Sequence, residues 1–167
     1  PVHYPDFHGP SMYLSSPAIQ IAGDNREKLA REVAREMVEP VHREMQRMGR
    51  PEVENLCQRL LQAFNSSLEQ NDANTFQRTM QQTLEYTASL DGDLHAWHGA
   101  VSVLRKWTPA LLQANSPPNN PDLADTLLHQ ARIAISEILR GQYSRLVMRE
   151  AAVANLISQM SARFFAA

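Results

Sequence analysis

From Leu139 to Phe164 the apolar residues recur at alternating steps of four and three: Leu139, Tyr143, Leu146, then, across Glu150, Val153, Ile157, Met160 and Phe164. A mean step of about 3.5 residues is the seam of a coiled coil, where a helix hides one narrow stripe against a partner helix. No proline interrupts the stretch, so nothing local opposes a continuous helix. Such a stripe is satisfied by pairing or by folding back onto its own bundle. Its regularity, and its persistence to the end of the sequence, favour a homodimer and a covalently linked domain beyond Ala167. Residues 139–167 are therefore expected to form a dimerisation or signalling helix. Glu150 is the single polar residue in its seam and fits a register-setting role.

The rest of the sequence reads as ordinary amphipathic helix. Residues 1–23 hold Pro1, Pro5, Pro10 and Pro17 with Gly9 among aromatic residues, which predicts an extended arm. Asp24 with Glu27 forms a capping box for a first helix, whose Leu29, Val33, Met37, Val41, Met45 and Met48 share one face. Pro40 should kink or divide that helix. Gly49-Arg50-Pro51 is a stop followed by a start. The second helix then carries Val53, Leu56, Cys57, Leu60, Leu61, Phe64 and Leu68, the cleanest buried face in the chain. Asp72 opens a third helix, with Phe76, Met80, Leu84, Thr87 and Leu90 inward. Asp91-Gly92-Asp93 breaks it and starts a fourth, with Leu94, Trp97, Val101, Leu104 and Leu111. After the polar connection from Asn115, Pro121 begins a fifth helix that should run through Gly141 into the seam. No strand-like alternation of useful length occurs. The expected fold is all-α: a bundle of about five main helices over residues 24–138, of globin-like arrangement or otherwise, with a long C-terminal coiled-coil-type helix.

Composition narrows the function. With a net charge of −2 and acids and bases interleaved, the chain has no electrostatic footprint for nucleic acid or an anionic membrane. A single cysteine, Cys57, excludes an internal disulfide framework and fits a reducing, cytoplasmic setting. No nucleophile elbow, phosphate loop or kinase-type loop is present, so an enzyme is not expected. His95 and His98, one helical turn apart, are weak metal candidates without a third ligand at recognisable spacing. His42, His98 and His129 are the helix-borne candidates for haem, but none has apolar residues on both sides, and no cofactor is expected. Phe76, Met80, Trp97 and Trp107 are the candidate lining of a pocket for a small hydrophobic ligand, or else plain core.

The run Leu60 to Leu68, with Asp72, Phe76, Leu90, Asp91, Gly92, Leu94 and Leu104-Arg105, is similar to helical regions that precede GAF domains in large bacterial signalling proteins. Met148-Arg149-Glu150 through Phe164 resembles their connecting helix. A looser likeness extends to the haem-free, globin-like sensor domains of stressosome proteins. It covers about residues 52–167 and rests on spacing and a few residue types. The resemblance implies an all-helical, dimeric input domain that passes a signal through its last helix to a downstream domain such as GAF. A ligand- or haem-binding sensor and a non-sensing scaffold are the alternatives.

Overall fold

Five helices, and no strand among the described residues, make up the computed structural model, which describes residues 17–115 and 119–165, with side chains from residue 23 onward. They are α1 (Pro17–Glu44), α2 (Arg50–Gln70), α3 (Asn74–Ser89), α4 (Ala96–Ala114) and α5 (Pro121–Phe165). α1, α4, α5 and α3 form a curved row in which each packs on the next, and α2 lies against all four. The expected all-α bundle with a long last helix is what the chain forms.

α2 is central because its sequence leaves it no other solution. Val53, Leu56, Cys57, Leu60, Leu61, Phe64 and Leu68 are all buried, and each large one covered contributes about 1.5–3 kcal/mol. Cys57 is a core residue, and burial pushes its thiol up to about 12. Gly49 and Pro51 start α2 as anticipated. Asn71, with φ of 51°, takes the left-handed conformation that ends it. Ser67 of α2 accepts a hydrogen bond at 3.0 Å from the Phe76 backbone N–H, so a buried hydroxyl satisfies an orphan donor at the start of α3. Asp72 assists by accepting from the Asn74 N–H at 3.2 Å.

α1 departs from expectation at both ends. It begins at Pro17, not Asp24, because proline is at home in a first helical turn and residues 18–22 contain no breaker. Asp24 is therefore an exposed residue inside the helix rather than its cap, and residues 17–23 belong to α1, not to an arm. Residues 1–16 of the expected arm lie outside the described residues. At the other end α1 stops at Glu44, and Met45 and Met48 are buried in the turn that follows it.

Pro40 does not divide α1, which continues through it. α4 passes so close there that a Cβ added at Gly99 would lie 2.5 Å from Pro40 Cβ and 3.0 Å from its Cγ. One turn along, the antiparallel pair is tied by Glu36, whose two oxygens accept from Lys106 Nζ and Trp107 Nε1, each at 2.6 Å. α3 and α4 meet at a buried joint: Trp97 Nε1 donates to Thr87 Oγ1 at 3.0 Å, and that hydroxyl donates to the Thr83 carbonyl at 2.8 Å. Between the two helices Asp91 adopts φ of 52°. At Gly92 a Cβ would meet Thr87 Cγ2 at 2.8 Å and Met45 Sδ at 3.3 Å, which restricts that position to glycine.

Gly99→Ala should gain about 1 kcal/mol of helix propensity and lose about 1–3 kcal/mol to overpacking. The rigid proline ring cannot yield as a flexible side chain would, so the loss wins. A urea midpoint below that of the parent protein is the expected result.

Hydrogen bonds from Lys106 and from Trp107 hold the Glu36 carboxyl below its ordinary value of 4.5, against opposing desolvation. A carboxyl depressed in the folded state stabilises above its unfolded pKa, and that stabilisation fades as pH falls through the folded value. Glu36→Gln should therefore lower the urea midpoint well above pH 4.5 and reduce its fall on acidification. Paired denaturation curves on the two sides of that pH measure both effects.

Candidate functional site

α5 has two halves with different surroundings. Asn120 caps it, its Oδ1 accepting from the Leu123 N–H at 3.0 Å while its Nδ2 donates to Asn71 Oδ1 at 2.9 Å. Ala124, Leu127, Leu128, Ala131 and Ile135 are then buried against the bundle. Leu123, Ala134, Ile138 and Leu139 are half-buried at its edge. From Tyr143 to Phe165 every residue is exposed. No described residue covers this half: the helix leaves the bundle as a rod and does not fold back. Gly141, with open space around it apart from the Arg145 guanidinium at 4.0 Å, lies where the cover ends.

On the rod, the seam residues form one face. Leu139, Leu146, Val153 and Met160 fall at d positions, and Tyr143, Glu150, Ile157 and Phe164 at a positions. Tyr143 is 69% exposed, Ile157 60% and Phe164 82%. Glu150 is exposed in the middle of this face. Val147 and Leu156, also exposed, flank the seam at e and g positions. Strict a and d spacing leaves them out, although apolar residues at flanking positions are the available signal for a wide stripe. Between Ala151 and Phe165 the only charged residue is Arg163. A contiguous apolar surface of this kind exceeds the scattered exposure of an ordinary monomer.

Of the four residues expected to line a ligand pocket, two share a cleft. Phe76 and Met80 line a cleft of about 200 Å³ between α3 and α5, with Leu127, Ala131 and Ala134 opposite them. Trp97 and Trp107 are not in it. Trp97 is fully buried and bonded to Thr87, and Trp107 is directed at Glu36 on α1. The two tryptophans lie ten residues apart on α4 and serve different neighbours, which their shared helix concealed in the sequence. Phe76 also packs edge-on against Phe64, with ring centroids 5.4 Å apart. The cleft falls below the 300–1,000 Å³ usual for ligand pockets.

His95 and His98 have ring centroids 6.0 Å apart. Their acidic neighbours are otherwise engaged: Asp93 accepts from the His95 N–H at 2.9 Å, and Asp91 faces Arg47 at 3.5 Å. Burial, then the nearby His95 and Arg132, holds His98 below the usual histidine value. Among the described residues no group of three or more His, Cys, Asp or Glu side chains could hold a metal ion. Of the other histidines considered for haem, His42 is half-buried on α1 and His129 is exposed on α5. No described helix is long and apolar enough to cross a membrane.

No protein-family model, curated protein or solved structure matches the chain. The uncovered half of α5 is thus the feature on which a functional reading has to stand.

Proposed function

We propose that the chain is a regulatory or sensory input module of a multi-domain bacterial signalling protein, and that it acts as a homodimer paired along the distal half of α5. The observation that carries this is the continuity of one helix from the buried core into an uncovered heptad seam. A helix anchored at Leu127 and Ile135 moves when the bundle packing around it moves. A seam beyond Gly141 then conveys that displacement to a second copy and to whatever the helix joins. Two arrangements of the pair, differently favoured by two packings of the bundle, are all that such coupling requires. A downstream domain of the GAF kind is the connection that the sequence resemblance implies.

Glu150 fits this role. A carboxylate at an a position weakens a coiled coil while restricting its register. In a parallel, in-register pair, the hole that receives it includes the g residue of the facing helix, Arg149, which supplies a counter-charge. The seam is thereby strong enough to associate and incomplete enough to be shifted.

The test is sedimentation of the parent chain beside Ile157→Asp. Covering Ile157 contributes about 1.5–3 kcal/mol per helix, and a carboxylate there adds a desolvation cost, so dimer dissociation should become at least about a hundredfold easier. A parent that stays monomeric at tens of micromolar, or a variant that stays dimeric, removes the pairing on which the proposal rests.

A further inference from the structure

At the root of the rod, the end of α3, the connection after it and the first exposed turns of α5 enclose an open groove. Its two walls carry opposite charge. Glu85 and Asp91 stand on the α3 side, and Arg140, Arg145 and Arg149 on α5. Among the described residues no ion pair joins the walls. Glu85 instead accepts from Gln81 Nε2 at 2.7 Å, and Arg145 Nε turns back to the Gly141 carbonyl at 3.3 Å. Leu139, Tyr143 and Leu146, the first seam residues, also line this groove. The groove and the seam are therefore one continuous surface, and what pairs along the seam must pass through the groove.

The occupant follows from the helix geometry, resting on the pairing proposed above. Gln142 and Arg149 are g residues, Arg145 is a c residue, and Arg140 and Val147 are e residues. The end of α3 therefore stands beside the c and g flank of α5. In a parallel coiled coil the g flank of one helix faces the e flank of the other, so a second copy presents Arg140 and Val147 on that side. Height is fixed as well, because α3 and α5 run parallel where Gln77 bonds to Gln130 and Gln81 shares a cleft with Glu137. One turn beyond that level, Glu85 reaches the height of Gly141. A second helix in register has its Arg140 there. We infer that Glu85 receives the Arg140 guanidinium of a second copy, so that each bundle clamps its partner's helix as that helix emerges. The contact ties the end of α3 directly to the other protomer and fixes a parallel, in-register pair.

A charge-swap experiment on the full chain tests this. Glu85→Arg and Arg140→Glu, each alone, should weaken the homodimer about fivefold or more, since each dimer holds two such contacts and each becomes repulsive. Mixed in equal amounts with distinguishable tags, the two variants should pair with each other at close to the parent affinity, because both contacts of the mixed dimer then join opposite charges. A pairing within one chain leaves each variant with like charges whatever its partner, so weak singles without recovery on mixing overturn the inference. Singles that dimerise like the parent also overturn it. Glu85→Gln, which adds no repulsion, should weaken the dimer by a smaller factor, and circular dichroism should report unchanged helicity for all three. If the parent fails to dimerise, or Ile157→Asp leaves it dimeric, the pairing reading fails and this contact with it. If only the swap fails, the seam stands and the clamp alone is lost.

Discussion

α2 lies against every other helix, and the packing of apolar side chains onto it is the constraint that shapes the fold. Its buried face runs from Val53 to Leu68, and each neighbour approaches along a stripe of its own. Buried apolar residues run along α1 at Val33, Met37 and Val41, along α3 at Phe76, Met80 and Leu84, and along α4 at Trp97, Val101 and Leu104. α5 adds Leu127, Leu128 and Ile135 to the core, then runs out of bundle to pack on. The same physical demand, apolar surface withdrawn from water, is met inside the chain for the first half of α5. Among the described residues it goes unmet for the second.

That contrast gives the functional reading its direction. The rod is helical without tertiary support from any described residue, and an isolated helix of its length is marginal in water. The proposed pairing would supply both the missing cover and the missing stability. Glu150 moderates the gain, and Gly141 sits where the supported and unsupported halves meet. Under the proposed function, a helix with a firm anchor, a permissive junction and an imperfect seam would convert changes in bundle packing into changes in the pair. The inferred clamp in the groove at its root would extend that contact from rod to bundle, so that protomer geometry and bundle geometry would depend on one another.

Much of this architecture was legible in the sequence because it depends on local periodicity. The buried face of α2 follows residue by residue from its apolar spacing. The start of α2 follows from Gly49 and Pro51, and the run of α5 through Gly141 from the lack of turn residues beside it. What escaped depends on contacts between distant residues. Pro40 is tolerated inside α1 because Gly99, fifty-nine positions away, leaves room for its ring. Trp97 and Trp107 share a helix and a residue type, yet Thr87 holds one and Glu36 the other. Asp24 has the chemistry of a cap but is overruled by a helix that begins at Pro17. The groove at the root of α5 is invisible to any reading along the chain, since its acidic and basic walls are separated by some fifty residues.

The most direct test of the central claim is disulfide trapping at the seam. In a Cys57→Ala background, which leaves no other thiol, Val153→Cys puts one sulfur at a d position and Asn155→Cys puts one on the outer face of the rod. Parallel, in-register pairing predicts rapid interchain cross-linking of Val153→Cys under mild oxidation, and slow cross-linking of Asn155→Cys. Equal, slow cross-linking of the two would mean that the exposed half of α5 does not pair along this stripe.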